Sequence, residues 1–512
     1  MEENKLHTKF EHNIVLRNMR MGDYDALREM ALLIYPQMAP WRKDQIESLL
    51  ARFGEGQFVI EIDGKVVASC CSMIVSMDIY TAGLSWMEIT AGGMITNHDP
   101  EGDTLYGIDI MVHPEYRGMK LARRLYNARK ELVIRLNLMR IVIGGRLPGY
   151  HKHAEKMTAR EYVERVMKKE LYDQTLTPQI QNGFVLKRII KNYGPEDHES
   201  VGYATFLEWT NIDYQPNESK RYVASHSVRI CAVQYQMRAI KSYEEFAAHC
   251  EYFVDVASDY RADFILFPEM LTLQLLSFMP RERPGLAARH LSEFTPKYLE
   301  TFSGLAAKYN INIIGGSHFT VENEELYNIA YLFHRNGKID KQYKLHITPS
   351  ERKWWGVQPG RAIEVFDTDK GKIAIQICYD VEFPELSRIA AQKGAQIIFV
   401  PFCTDERNAY LRVRYCAQAR CIENQLFLAM AGNVGNLPFV DNIDIQYAQS
   451  AILTPSDVMF SRDAVAGECT PNVEMVTIHD VDLETLRRAR QSGSVLNWQD
   501  RRSDIYEVVS KV

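Results

Sequence analysis

From residue 228 to residue 431 the chain alternates short apolar runs with helix-patterned stretches, and this alternation restricts it to an α/β fold. The runs 228–234, 262–267, 311–315, 373–378, 395–400 and 426–431 have strand length and strand composition. The stretches 243–258 and 412–424 carry helical patterning. Such an order builds a sheet flanked by helices and brings the ends of its strands together in space.

Three chemically loaded residues stand at the ends of these runs. Glu269 follows Phe267-Pro268, Lys344 follows Tyr343, and Cys378 lies in Gln376-Ile377-Cys378-Tyr379-Asp380. A thiol attacks a carbonyl or nitrile carbon as its thiolate, so it needs a neighbouring base or cation. Glu269 is the candidate to take the thiol proton and return it to a leaving amine. Lys344 is the candidate to hold the developing oxyanion, with the backbone N–H of Tyr379 as second donor. Each residue alone reads blandly, as an inert buried thiol, a solvated acid and a surface lysine. Together, with these flanks, they predict a thiol hydrolase of carbon–nitrogen bonds.

The flanks resemble the nitrilase superfamily of carbon–nitrogen hydrolases. The resemblance rests on Phe267-Pro268-Glu269, on Tyr343-Lys344, and on Ile377-Cys378-Tyr379-Asp380 with Phe383-Pro384-Glu385 behind it. It extends through Gly315-Gly316-Ser317, Tyr327-Asn328-Ile329-Ala330, Arg414 to Gln425, Gly432-Asn433 and Asp500-Arg501-Arg502. It implies a four-layer α-β-β-α sandwich over 227–512, a Glu269–Lys344–Cys378 triad, a supporting Glu351, and a homodimer or larger assembly. The stretch 401–407 does not match a recognisable substrate pocket. The commoner activity in the superfamily favours a linear amide, with N-carbamoyl compounds and nitriles as alternatives. Trp354 and Trp355 are candidates for a pocket wall or for packing.

Composition narrows the remaining classes. Of 512 residues, 46% are hydrophobic and 25% charged, a globular balance, and the net charge of −6 argues against nucleic acid as a partner. The nine cysteines include no Cys-x-x-Cys and no zinc-like spacing, which fits a reducing cytoplasm and predicts no metal. The start, Met1-Glu2-Glu3-Asn4-Lys5, is polar and reads as no signal peptide, and no apolar stretch has membrane-spanning length.

A polar, proline-containing seam at 211–226 separates this region from an N-terminal domain, 1–210. In that domain two β-like runs joined by Asp63-Gly64 predict a hairpin. A strand over 107–112 leads through His113-Pro114-Glu115-Tyr116-Arg117-Gly118 into a helix with Leu121, Leu125, Ala128 and Leu132 on one face. A strand, a basic glycine turn and a helix N-terminus make a phosphate cradle. The run from Val112 to Leu125 resembles the Gcn5-related N-acetyltransferase (GNAT) family, a mixed α/β fold. That resemblance implies acetyl-coenzyme A held by Ile110, Met111, Val112, Arg117, Gly118, Lys120 and Ala122. Lys120 stands where the family has glycine. Asp109 and Tyr150 are weak candidates for an acetyl-transfer base. His151 and His153, two apart, do not share a helix face.

Three functional readings follow. Both domains catalyse; or the N-terminal domain senses acetyl-coenzyme A for the hydrolase; or it binds a protein and no cofactor.

Overall fold

The computed structural model describes residues 6–511 except 37, 77–84, 195, 216–226, 439 and 442–444. Most of the expected seam, from 216, and the polar start, 1–5, lie outside the described residues. The chain forms two compact units, Asn13–Ala224 and Met1–His12 with Ser225–Val512.

Among its described residues the Asn13–Ala224 unit holds seven strands: β1 (Ile14–Asn18), β2 (Phe58–Ile62), β3 (Lys65–Val75), β4 (Thr104–Val112), β5 (Arg140–Arg146), β6 (Val185–Lys191) and β7 (Tyr203–Thr210). Their order is β1-β2-β3-β4-β5-β7-β6. Asp63 and Gly64 both have positive φ, 50° and 84°, the requirement of a two-residue turn that matches strand twist, and the predicted hairpin forms there. Only β4 and β5 run parallel, paired over Thr104–Gly107 and Arg140–Ile143; beyond Gly107 the two strands share no register. The helix Leu121–Arg135 joins them and buries the predicted apolar face, with Leu121, Leu125, Ala128 and Leu132 against the sheet. Its Arg129 is also buried, donating to Ser72 Oγ, Cys71 O and Asp109 O across a bulge between β3 and β4.

The second unit contains β8 (Ser227–Met237), β9 (Phe264–Leu266), β10 (Asn312–Ile314), β11 (His318–Glu322), β12 (Glu325–Phe333), β13 (Ile339–Tyr343) and β14 (Val357–Gln358). It continues with β15 (Val365–Thr368), β16 (Gly371–Ile375), β17 (Ile397–Phe402), β18 (Phe427–Asn436), β19 (Ile445–Gln446), β20 (Ala451–Leu453), β21 (Val465–Glu468) and β22 (Met475–Asp482). One sheet runs β11-β12-β10-β9-β8 and the other β18-β17-β16-β15, joined where β18 meets β8.

Strand periodicity sorts the core into layers. Val228, Ile230, Ala232, Phe264 and Leu266 pack in the cluster that contains Ile373, Ile375, Ile397 and Phe399 of the other sheet. Phe264 and Phe399 meet ring to ring at 5.1 Å. The alternate residues Cys231, Val233, Tyr235 and Ile265 pack instead with Phe246, Phe253, Tyr298 and Phe302 of the helices Tyr243–Asp259 and Thr295–Tyr309. On the far side Val413, Ala417 and Cys421 of the helix Arg407–Asn424 close the fourth layer. The expected α-β-β-α sandwich is therefore present.

Candidate functional site

The site is assembled where strands of the two sheets end. Glu269 lies three residues beyond β9, and its backbone is pinned on both sides. Asn433 Nδ2 of β18 donates to the Glu269 carbonyl at 2.7 Å, and Met270 N donates to Ser317 Oγ at 3.0 Å. Lys344 directly follows β13, its N–H bonded to Asn328 O of β12 at 2.9 Å. Glu351 opens a short π-helical turn, Glu351–Trp355, and its carboxylate accepts from Thr348 N and Thr348 Oγ1 at 3.0 and 2.9 Å.

These elements converge on one ammonium. Lys344 Nζ donates to Glu269 Oε1 and to Glu351 Oε2, each at 2.7 Å. Asn328 Nδ2 donates to the same two carboxylates, sharing Glu269 Oε1 with the lysine and taking Glu351 Oε1, each at 3.1 Å. The sequence placed Lys344, Glu269 and Glu351 in this group; Asn328 is an addition, visible beforehand only as part of the Tyr327-Asn328-Ile329-Ala330 pattern.

Cys378 was read as the end of a strand, but β16 stops at Ile375 and the cysteine begins a 3-10 turn, Cys378–Glu382. Its φ is +48°, a left-handed conformation that costs a non-glycine residue about 1–2 kcal/mol. Asp380 clamps the turn in place: its buried carboxylate accepts from Leu345 N, His346 N and Ile377 N, and binds His346 Nδ1. It thus ties the segment after Lys344 to the turn that carries the thiol. Tyr379 follows within that turn, its ring edge-on to Phe383. The Cys378 Sγ lies 3.8 Å from the carbonyl of Cys403, at the end of β17.

Electrostatics separates the two carboxylates. Burial, and the nearby Glu351 charge, push the Glu269 carboxyl up despite Lys344. Glu351 is buried too, but Lys344, the Thr348 N–H and Asn328 hold it below the usual carboxylate range. Against the downward pull of burial, the two carboxylates keep Lys344 firmly cationic. Burial and the Glu269 charge push the Cys378 thiol well up, so at rest Cys378 is a neutral thiol near a carboxylate of raised proton affinity. Two groups whose surroundings drive their pKa values apart are fitted to different roles, one exchanging protons and one fixed as an anion.

Trp355 is buried against Phe319 at 5.4 Å, the packing alternative, whereas Trp354 is exposed. Among the described residues no group of three or more His, Cys, Asp or Glu has a metal-binding arrangement, and no helix is long and apolar enough to cross a membrane.

The phosphate-cradle residues lie together in the N-terminal unit. Arg117 and Gly118 are exposed, and Gly118 has φ +89° with open space beyond it. Lys120 is the N-cap of the helix Leu121–Arg135 with φ +49°, and its own side chain makes no capping hydrogen bond. The left-handed backbone explains why glycine suits this position, and Lys120 adopts it nonetheless. The exposed arginine, the glycine and the helix N-terminus fit a pyrophosphate. On β4, Ile110 O accepts from Tyr35 OH at 3.5 Å and Ile108 O from Trp86 Nε1 at 3.2 Å, so two carbonyls of this strand already have donors. Met111 is buried opposite Ser69 of β3, Val112 is half-buried, and Ala122 lies in the first helical turn.

The two base candidates have structural partners. Asp109 accepts from Cys71 N and Trp41 Nε1, each at 2.8 Å, closing the β3–β4 bulge. Tyr150 OH donates to Met157 O. His151 Nδ1 lies against Pro148 O at 2.8 Å.

Comparison with known proteins agrees with both halves. The carbon-nitrogen hydrolase family model matches residues 229–491, and the acetyltransferase (GNAT) family model matches residues 24–154. The chain is 56% identical to a hydrolase named YhcX of Bacillus subtilis over 98% of each protein. It is 34% identical to an uncharacterized N-acetyltransferase, YkwB of Bacillus subtilis, over 40% of this chain and 92% of that protein. It is 26% identical to the human omega-amidase NIT2 over 56% of this chain and 99% of that protein. This chain therefore belongs to the carbon-nitrogen hydrolase family, with a GNAT acetyltransferase domain joined to it in the same polypeptide.

Proposed function

We propose that the C-terminal unit hydrolyses the terminal amide of a small linear substrate, with Cys378 as nucleophile, Glu269 as proton carrier and Lys344 as oxyanion holder. The observation that carries this reading is the buried Lys344 ammonium bridged to two carboxylates whose proton affinities are driven in opposite directions. The thiol proton passes to Glu269 as Cys378 Sγ bonds to the amide carbon. The carbonyl π pair moves to oxygen, where the Lys344 ammonium and the Tyr379 N–H stabilise it. Collapse breaks the carbon–nitrogen bond, Glu269 protonates the leaving nitrogen, and ammonia departs from a thioester. Glu269 then takes a proton from water; the hydroxide oxygen displaces Cys378 Sγ, which recovers its proton. Glu351 stays ionised and holds Lys344 in position. The omega-amidase relatives favour an amide over an N-carbamoyl compound or a nitrile.

A direct test is acid quenching of the protein mixed with an ω-amidated dicarboxylate, followed by intact mass analysis. Native protein is expected to carry the acyl mass on the peptide containing Cys378, and Cys378→Ala none. Undiminished turnover by Cys378→Ala overturns the assignment.

For the N-terminal unit we infer that Arg117, Gly118, Lys120 and Ala122 receive the pyrophosphate of acetyl-coenzyme A, beside Ile110, Met111 and Val112 of β4. When bound, that cofactor supplies an activated acetyl group. The support is the exposed Arg117 and the left-handed Gly118 and Lys120 leading into the helix N-terminus. Calorimetry with coenzyme A is expected to give saturable heat that Arg117→Gln weakens; no heat with native protein favours a protein-binding role. The nine free cysteines suit a reducing cytoplasm, and we expect a homo-oligomer formed through the hydrolase unit.

A further inference from the structure

Away from the thiol site, the C-terminal unit gathers three arginines around one indole. The guanidinium of Arg501 lies 3.7 Å from the Trp498 ring centre, that of Arg490 5.2 Å, and that of Arg388 5.7 Å. They come from three separate segments: Arg388 from the helix Pro384–Gln392, Arg490 from the helix Leu483–Ser492, and Arg501 from the segment after it. All three side chains are half-buried, so their repulsion is only partly screened by water.

The carboxylate that acts on Arg388 is committed elsewhere: Glu423 is paired with Arg420 at 3.1 Å. Burial and the Arg501 charge pull both Arg388 and Arg490 below the ordinary arginine range. Hydrogen bonding is incomplete as well. Arg490 donates to Gln425 O and Asn424 O, and Arg501 Nε donates to Trp498 O. Arg388 Nη1 is buried and has no hydrogen-bond partner among the described residues. A buried donor left unmatched beside two like charges is unfavourable unless something completes the site.

We propose that Arg388, Arg490 and Arg501 around Trp498 form a binding site for a phosphoryl oxyanion. Guanidinium forks match phosphate oxygens in geometry and charge, and three of them call for a dianion rather than a monocarboxylate. The indole backs the three guanidiniums, and the N–H groups not engaged by the carbonyls of Asn424, Gln425 and Trp498 are left for the ligand. Arg490 and Gln499 also line an open cavity of about 680 Å³, together with Lys370, Gln491 and two carboxylates, Asp369 and Glu484, that are paired with Arg335 and Arg487; it has room for the remainder of a phosphorylated metabolite. The ligand is therefore either free phosphate or a phosphomonoester. Arg388 belongs to the helix that begins two residues beyond the Cys378–Glu382 turn, so occupancy stiffens the element behind the nucleophile.

The full-length protein tests this by titration at constant ionic strength with inorganic phosphate, glycerol phosphate, malonate and chloride, following tryptophan emission and calorimetric heat. Saturable binding of either phosphate compound, with chloride silent, is expected. Tighter binding of glycerol phosphate assigns a phosphomonoester, and equal binding assigns free phosphate. Arg388→Gln should weaken binding about tenfold or more, the loss of one charge-assisted interaction. Arg501→Gln should do the same by an independent substitution, and Trp498→Phe should remove the emission change while heat remains. Hydrolysis without phosphate should be unchanged in Arg388→Gln, which also establishes that this variant folds. No saturable response to either phosphate compound, or equal binding by native protein and both arginine variants, overturns the proposal. So does malonate binding more tightly than phosphate.

Discussion

At the scale of single residues, the site depends on keeping Glu269 protonatable and Glu351 ionised around one lysine. In the proposed mechanism Glu269 must be ionised to accept the thiol proton. Because its pKa is raised, kcat/KM should climb with pH through a value above the ordinary 4.5 of a glutamate. A pH profile of amide hydrolysis whose acid limb lies at or below 4.5 contradicts this reading. Asn328→Ala removes one donor from each carboxylate. Hydrogen bonds to charged groups contribute about 1.5–3 kcal/mol, so kcat should fall roughly ten- to hundredfold without loss of the fold. Steady-state kinetics with circular dichroism measures both, and unchanged kcat would show that Lys344 alone positions the pair. In the other unit, Lys120→Gly relieves a left-handed lysine and should raise stability by up to about 1 kcal/mol in urea unfolding, while weakening coenzyme A binding through the lost charge. Lower stability would indicate that the lysine side chain matters more than its backbone strain.

At the scale of elements, β11 provides a pH-dependent contribution. His318 is fully buried between Thr272 Oγ1 and Thr295 Oγ1, and burial holds its pKa down to about 3. A base with a depressed folded pKa contributes stability above its unfolded pKa of about 6.5, and loses it as pH falls toward the folded value. Native protein should therefore lose up to about 1.4 kcal/mol per pH unit below 6.5 relative to His318→Gln. Urea midpoints at pH 7 and pH 5 measure the difference, and parallel midpoints for the two proteins would contradict it. The elements also show how far the sequence could be read. The apolar runs placed β9, β10, β17 and β18 correctly because strands buried on both faces are apolar throughout. The same pattern could not show where β16 ends. Ile377 and Cys378 are as apolar as the strand before them, and the positive φ of Cys378 is imposed by Asp380 gripping Leu345 and His346 from a segment 34 residues away. Glu269, Lys344 and Cys378 were legible because their types and flanks are rare in combination. Asn328 and Asn433 were not, since an asparagine in a strand signals nothing until the strand beside it is known.

At the scale of the whole molecule, sequence order and packing diverge at the N-terminus. The acetyltransferase-like stretch was read from residue 1, yet Leu6 and Phe10 pack against the core of the Ser225–Val512 unit. Ser303 Oγ donates to Phe10 O, Ile339 N to Glu11 Oε1, and His12 N to Gly337 O. Long-range contacts of this kind leave no local signature. Deleting residues 1–12 should therefore destabilise the hydrolase unit by about 2–4 kcal/mol, the sum of two partly buried apolar side chains and a few hydrogen bonds. Thermal unfolding followed by loss of amide hydrolysis reports on that unit, and an unchanged midpoint would contradict the packing. The account of the molecule as a thiol hydrolase is tested most directly by ammonia release from ω-amidated dicarboxylates, comparing native protein with Cys378→Ala and Glu269→Gln. It predicts release by the native protein and none above background in either variant; ammonia released by Cys378→Ala at the native rate would contradict it.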